Sequence, residues 1–144
     1  MKYLKNYIEE AQTVLFDKMG VFFAFSHKQF DEQKKEGVVY KLLGAGLICP
    51  KENVKAFWLA HQNIVKAGIA ADLAENGKEG VIFRELGNHE CFHTGDIEDC
   101  ARALTDYGIT VKEIKAVYYK QRELQTVVEA FCSTKNVNIK IESE

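Results

Sequence analysis

Apolar side chains recur every three or four residues along most of the chain, which is the repeat of an amphipathic helix. Residues 3–19 show this repeat and stop before Gly20, so they predict a first helix. A longer repeat follows Pro50, a residue that commonly opens helices, and continues to Asn76 and Gly77. Further helical repeats occupy residues 78–93, about 97–107 and about 111–132.

Polar residues that commonly cap helices stand before three of the shorter repeats. The capping pairs are Ser26 with Gln29, Asp96 with Asp99, and Thr110 with Glu113. The first pair predicts a short charged helix that continues through about residue 36. The other two pairs predict that separate helices begin after residues 96 and 110.

Two stretches are too apolar for loops and too short for helices. Residues 21–25 are rich in aromatic side chains and predict a short strand. Residues 38–49 are broken by Gly44 and Gly46, so they predict either one bent strand or two strands joined by a tight turn. The tail at residues 136–141 alternates polar and apolar positions, which suits an edge strand or a frayed end.

The predicted fold class is α+β and predominantly α, with five or six helices and a small two- or three-stranded antiparallel sheet. A chain of 144 residues is long enough to bury a core of its own. It contains no linker, internal repeat or block of like charge. We therefore expect a single compact domain over residues 1–144, with residues 136–144 as an edge strand or a frayed tail.

Charge and cysteine content narrow the classes of partner. The formal net charge is -2, which offers no basic footprint, so nucleic acid is an unlikely partner. The lysines that would serve that weaker alternative are Lys28, Lys34, Lys35 and Lys41. No apolar run is long enough to span a membrane, no signal-peptide layout opens the chain, and the four cysteines form no C-x-x-C pair. These features predict a reduced cytoplasmic protein.

One stretch carries a recognisable chemical signature, since residues 89–93 read H-E-x-x-H. On a helix, histidines four residues apart point the same way and can bind one zinc ion, while the glutamate deprotonates the bound water. This gives one hypothesis, a minimal zinc-dependent hydrolase with His89 and His93 as metal ligands and Glu90 as general base. The third ligand would come from the remaining histidines and acids: His61, Asp96, Asp99, Asp106 or Glu113.

Two observations weigh against a zinc site. Gly87 and Gly95 flank the motif, so the turn that carries the ligands would lie at a fraying helix end, whereas zinc ligands need rigid support. Chance alone produces the motif in about one shuffle of this composition in a hundred. Without a metal, both imidazoles would cap the helix C-terminus. No cofactor is therefore favoured, and zinc is kept as the alternative.

Three segments resemble a family of small uncharacterised proteins of gut Firmicutes and their phages and mobile elements. These are FFAFSHKQFDE at 22–32, GAGLICPKENV at 44–54 and ELGNHECFHTGDIEDCARALTDYG at 85–108. The family pattern joins Asn-His-Glu to Thr-Gly-Asp and commonly has an aromatic residue where this chain has His93. The resemblance implies no activity, and it implies that the H-E-x-x-H is fortuitous.

The same resemblance directs attention to a polar cluster at a junction between helices. Its members are Asn88, His89, Glu90, Thr94 and Asp96. The cluster either holds the turn, with Asp96 capping the following helix, or forms a binding patch.

Our first functional hypothesis is a small non-enzymatic protein of a phage or mobile element that acts by binding another protein. The partner would be a host defence component, and the protein would inhibit it as an anti-CRISPR-like counter-defence factor does. Exposed aromatic residues and the loop at residues 87–96 are the expected partner surface, because interfaces favour aromatic anchors. A homo-oligomer is a further possibility, and the zinc hydrolase is the alternative from a different class.

Overall fold

The computed structural model describes residues 2–135. In that part of the chain, six α-helices and three short strands confirm the predicted α+β, mostly helical class. The helices are α1 (Leu4–Met19), α2 (His27–Gln33), α3 (Val54–Asn88), α4 (Cys91–Thr94), α5 (Glu98–Ala103) and α6 (Val111–Lys135). The strands are β1 (Phe22–Phe23), β2 (Tyr40–Gly44) and β3 (Leu47–Pro50). The predicted tail strand lies outside the described residues.

The described residues divide into two compact units, a first unit up to Glu75 and a second unit from Asn76 onward. Helix α3 runs through the division, but its backbone is not helical at Gly77, where φ is 71°. This interruption stands where the sequence predicted a helix end, because glycine adopts a positive φ without the steric cost of a side chain.

The three strands of the first unit form an antiparallel sheet in the order β1-β3-β2. Strands β2 and β3 are joined by a tight turn at Ala45 and Gly46, both of which have positive φ. The glycine-broken stretch is therefore two strands rather than one bent strand. Gly46 is required here, since the ring of Phe25 lies where a side chain would stand.

The core of the first unit is apolar and aromatic. Its buried cluster consists of Leu15, Val21, Cys49 and Phe57. Phe57 has no exposed surface, and its ring packs edge-on against Phe16 with centroids 5.7 Å apart. Gly68 of α3 lies against the Ile8 side chain of α1. The approach is so close that any larger residue at position 68 would collide with Ile8.

Two of the predicted capping boxes form hydrogen bonds at helix starts. The hydroxyl oxygens of Ser26 and Thr110 accept from the backbone N–H groups of Gln29 and Glu113, each at 3.2 Å. The Glu113 carboxylate also accepts from the Thr110 backbone N–H at 3.2 Å, which completes the box. Helix α2 ends at Gln33, three residues before the predicted end, because the backbone of the next residue is extended.

The core of the second unit includes aliphatic side chains and two cysteines. Its buried members are Val81, Ile82, Leu86, Cys91, Cys100, Leu104, Ile109, Ile114, Val117 and Tyr118. The ring of Phe92 contacts Phe83 at 6.2 Å and stacks on Tyr118 at 5.4 Å, measured between centroids. These ring contacts hold the short helix α4 between the end of α3 and helix α6.

Candidate functional site

The H-E-x-x-H sequence lies across a break between two helices. Helix α3 ends at Asn88, Glu90 has the left-handed backbone (φ 55°), and α4 begins at Cys91. The prediction of a continuous helix through His93 is therefore wrong. The physical reason is that the Glu90 N–H turns back to the Gly87 carbonyl at 3.1 Å and closes a tight turn instead of extending the helix.

A buried polar cluster lies just before this break. The Glu85 carboxylate accepts from Arg84 Nε at 3.0 Å through one oxygen, and both side chains are buried. Its other oxygen lies 3.4 Å from His89 Nε2 and 3.4 Å from Asn88 Nδ2. His89 and Asn88 are thus both held by Glu85, which fixes the end of α3.

Arg84 and Glu85 were not predicted as site residues from the sequence. A buried carboxylate is tolerated only when it is paired and hydrogen-bonded, and Glu85 satisfies that condition through three neighbours. The one available signal was two adjacent residues of opposite charge beside the apolar positions Ile82 and Leu86. That signal alone does not distinguish a buried pair from an exposed one.

The two predicted zinc ligands, His89 and His93, lie on opposite sides of the break at Glu90. His89 contacts Glu85 before the break, whereas His93 is exposed on α4. His61 belongs to the first unit, where its Nε2 lies 3.4 Å from Gln12 Nε2. Within residues 2–135, no group of three or more His, Cys, Asp or Glu side chains is arranged to hold a metal ion. The H-E-x-x-H therefore lacks a third ligand among these residues.

Two of the remaining acidic candidates have other partners. Asp99 pairs with Arg102 on the exposed surface of α5 at 3.4 Å. Glu113 pairs with Lys78 at 2.7 Å, and hydrogen bonds from Lys78 and Thr110 lower the pKa of its carboxyl group. Asp106 lies in a single 3₁₀ turn and is exposed.

Thr94 and Asp96 form the connection from α4 to α5. The Thr94 hydroxyl oxygen accepts from the Asp96 backbone N–H at 3.1 Å, and Asp96 Oδ1 accepts from the Glu98 backbone N–H at 2.9 Å. The second bond satisfies a donor at the start of α5, although the N-cap position of that helix is Ile97, one residue after the predicted cap. Of the five residues in the predicted patch, these two and the pair on Glu85 thus have contacts that support the turn.

The thiols of Cys91 and Cys100 hydrogen-bond to each other beneath this turn. Neither residue has exposed surface. Burial, followed by the negative charge of Asp96, raises the pKa of the Cys91 thiol. Burial, followed by the neighbouring Cys91 and by Glu85, raises the pKa of Cys100 to about 12. Both groups are therefore thiols at neutral pH.

A second surface of interest is the later part of α6. Every residue from 122 to 131 is exposed, although the same helix is buried earlier, at Ile114 and Val117. The apolar face of the helix continues into the exposed part. Its exposed members are Leu124, Val127, Val128 and Phe131, with 38% to 61% of each residue accessible. We call these four residues the α6 stripe.

A shallow polar hollow lies along another side of the same helix. It has a volume of about 200 Å³ and is lined by Phe92, Arg122, Gln125, Thr126 and Glu129. At 100° per residue, the four lining positions of α6 fall on the side opposite the stripe. The stripe therefore does not line the hollow beside α4.

The first unit also exposes aromatic side chains. Phe23 and Phe25 are stacked with centroids 6.0 Å apart, and the Phe23 ring also contacts Phe16. Their backbone is held by Gln33 and Gln29, whose side chains bond the Phe23 carbonyl and the Phe25 N–H. These rings form an ordered apolar surface, in keeping with the expectation of exposed aromatics.

The model of a family of unknown function, DUF7659, matches residues 4–134. This confirms the expectation of an uncharacterised domain family. No curated protein and no solved structure match the chain. Among the described residues, no helix is both long enough and apolar enough to cross a membrane.

Proposed function

We propose that this chain, which belongs to the family of unknown function DUF7659, acts by binding another protein through the later part of α6. The observation that supports this proposal is the exposed run of residues 122–131 with its α6 stripe. The stripe positions are spaced i, i+3, i+4 and i+7, which is the spacing of the anchors when an amphipathic helix lies in an apolar groove.

The apolar area of the stripe favours a partner at this surface. The exposed segment continues a helix whose earlier part is packed, so its backbone is already nucleated as a helix. Side-chain hydrogen bonds in this segment stay within α6, from Gln125 to Glu129 and from Thr126 to the Arg122 carbonyl. Burial of the stripe in a partner would remove its apolar surface from water, which is the main favourable term in protein association.

The form of the stripe favours a groove over a coiled coil with a second copy. A coiled coil needs apolar a and d positions over about three or four heptads, whereas the exposed stripe covers one heptad, from Leu124 to Phe131. The stripe is also interrupted toward the N-terminus by Gln121, at the position that would continue the seam. We therefore propose a partner protein that offers an apolar groove.

The charge around the stripe argues against nucleic acid and anionic membranes. The positions beside the stripe are Gln121, Gln125, Glu123 and Ala130, none of which is basic. Lys120 lies one turn before Leu124, and its ammonium group is paired with Glu79 at 2.9 Å. Phosphate surfaces are bound by clustered lysine and arginine. The stripe has apolar anchors with a nearly neutral border, which suits the core of a protein interface.

In this proposal, the side chains of the predicted patch support the helix junction. Asn88 and His89 contact Glu85, and the hydrogen bonds of Thr94 and Asp96 hold the turn before α5, so these side chains position α4 and its Phe92. Inhibition of a host defence protein, in a phage or mobile element, is the biological setting that we propose. It rests on the resemblance of residues 22–108 to proteins of gut Firmicutes and their phages.

A capture experiment with matched variants tests the binding surface. The immobilised full chain, its Val127→Glu variant and its Thr126→Glu variant are each exposed to a lysate of a gut Firmicute. We expect the same protein to be retained by the wild type and by Thr126→Glu, and to be lost with Val127→Glu. A buried glutamate in an apolar groove should raise the Kd by at least about tenfold.

Two results would contradict the proposal. One is equal capture by all three baits, with all three showing the same thermal unfolding. The other is a wild-type dimer in light scattering that Val127→Glu dissociates, which would assign the stripe to a second copy of this chain.

A further inference from the structure

The thiols of Cys91 and Cys100, both buried in the second unit, lie in contact with each other. Cys91 begins α4 and Cys100 lies within α5, so the segment between them includes the whole turn of Thr94 and Asp96. Their thiols are hydrogen-bonded to each other, and neither residue is exposed. Both are free cysteines in this structure.

Cys49 provides a comparison within the same chain. It is buried as completely as the other two, and burial raises the pKa of its thiol as well. Its thiol donates to the Pro50 carbonyl oxygen at 3.4 Å rather than to another thiol. Burial is thus common to the three cysteines, and the contact between thiols distinguishes Cys91 and Cys100 from Cys49.

The segment that carries Cys91, residues 90–95, is short and has a strained backbone. We call this segment the cover of the thiol pair. Helix α4 has four residues and lies between two left-handed positions, Glu90 with φ 55° and Gly95 with φ 74°. A left-handed backbone is unfavourable for a glutamate, because its Cβ approaches the backbone. Short segments with such strain open locally more often than long helices do.

We propose that Cys91 and Cys100 form a modification site, which hydrogen peroxide oxidises to an intramolecular disulfide. When α4 opens, the Cys91 thiol loses its proton to solvent and the thiolate attacks one peroxide oxygen. The O–O bond breaks, and the leaving hydroxide takes up a proton, equivalent to the one that Cys91 lost, to become water. Cys91 is then a sulfenic acid. The Cys100 sulfur attacks the Cys91 sulfur, the S–O bond breaks, and the hydroxide leaves as water with the Cys100 proton.

The surroundings assign the order of the two thiols. The pKa of Cys100 is raised to about 12, and Glu85 contributes to this shift through its charge. Cys100 lies within α5, outside the segment that opens, so it acts in the second step as the resolving thiol. Cys91 is on the segment that opens, so it meets peroxide first.

The product would tie α4 to α5 by a covalent bond. The turn between them includes Thr94 and Asp96, whose hydrogen bonds hold the turn before α5. The same bond would hold Phe92 between Phe83 and Tyr118. Oxidation should therefore lock the second unit around the helix junction.

Peptide mass analysis of the full chain tests this site. The reduced protein is incubated with hydrogen peroxide, remaining thiols are alkylated in denaturant, and the chain is digested with trypsin. Cleavage after Arg84 and Arg102 places both cysteines in one peptide, residues 85–102. We expect this peptide to become lighter by the mass of two hydrogen atoms and to resist alkylation. The lighter peptide should form at least ten times faster than the Cys49 thiol is lost.

Variants separate the disulfide from general oxidation. Cys100→Ser should accumulate a Cys91 sulfenic acid that dimedone traps, and no lighter peptide. Gly95→Ala strains the cover and should speed disulfide formation by roughly tenfold. Gly108→Ala is the matched control, since Gly108 has a similar φ of 70° outside the cover and should leave the rate unchanged. Equal oxidation of Cys49 and the pair, or a pair that stays reduced, would overturn the proposal.

Discussion

The two units of the chain build their cores from different chemistry. The first packs aromatic rings around Phe57, with a small sheet beside them. The second places a charged pair, Arg84 and Glu85, and two contacting thiols among its aliphatic side chains. A ring core depends mainly on the area removed from water, whereas a buried polar cluster depends on each hydrogen bond being present.

The stabilities of the two cores should therefore respond differently to the loss of a side chain. Loss of a ring leaves a cavity whose cost depends on volume. Loss of one member of a polar cluster leaves its buried partner without compensation. In the described residues, every buried side-chain nitrogen and oxygen has a hydrogen-bond partner, so the polar cluster of the second unit is fully paired.

The largest expected effect is in the ring core of the first unit. Phe57→Ala should lower the free energy of unfolding by about 3–5 kcal/mol, because a fully buried ring is replaced by a cavity. Urea unfolding followed by circular dichroism measures the change. Leu59→Ala is the control, since Leu59 is 63% exposed on the same helix and should change stability by less than about 0.5 kcal/mol. Equal losses would show that the core lies elsewhere.

The polar cluster of the second unit should respond to loss of a charge more than of volume. Glu85→Ala should cost about 3 kcal/mol, because the buried Arg84 guanidinium loses one of its partners and the His89 and Asn88 side chains lose the carboxylate that holds them. Glu79→Ala is the matched control, since Glu79 pairs with Lys120 at the surface and should cost at most about 1 kcal/mol. Urea unfolding of both variants checks this. Similar small losses would remove the distinction between the units.

Alkaline pH should weaken the second unit. Because the pKa of Cys100 is raised from 9.0 to about 12, the folded thiol stays protonated where the unfolded thiol ionises. Its contribution to stability is complete below pH 9 and is lost as the pH rises toward 12, by at most about 1.4 kcal/mol per pH unit. Unfolding measured from pH 8 to pH 11 in Cys100→Ala should lack this part of the decline.

The sequence predicted elements well where apolar spacing and caps agree. Helix α1, the hairpin of β2 and β3, and the start of α6 at Thr110 all appear near their predicted positions. In each of them a local signal, either a glycine or a capping pair, coincides with the repeat. These signals act within a few residues, so they can be read without knowledge of the tertiary structure.

The sequence was less informative where distant burial decides. The Glu85 carboxylate looked like an ordinary helical charge, and the break at Glu90 was hidden by a helical spacing that continued to His93. The contact between Cys91 and Cys100 depends on how α4 and α5 pack. For the same reason, the spacing of His89 and His93 alone did not reveal whether one helical turn carries both histidines.

The smallest expected effects come from a glycine-to-alanine substitution made once in each unit. Gly68→Ala should cost about 1–3 kcal/mol, since the added methyl group collides with Ile8 and the helices must move apart. Gly87→Ala should instead stabilise the protein by roughly 0.5–1 kcal/mol, because nothing lies within 4 Å of the new methyl group and alanine favours the helix. Thermal unfolding of the two variants shows whether each change raises or lowers the stability.

Two stabilising changes would mean that α1 does not pack closely on Gly68. Destabilisation by Gly87→Ala would mean that the turn after Asn88 needs glycine, and the break at Glu90 would then depend on Gly87 as well as on the cluster at Glu85.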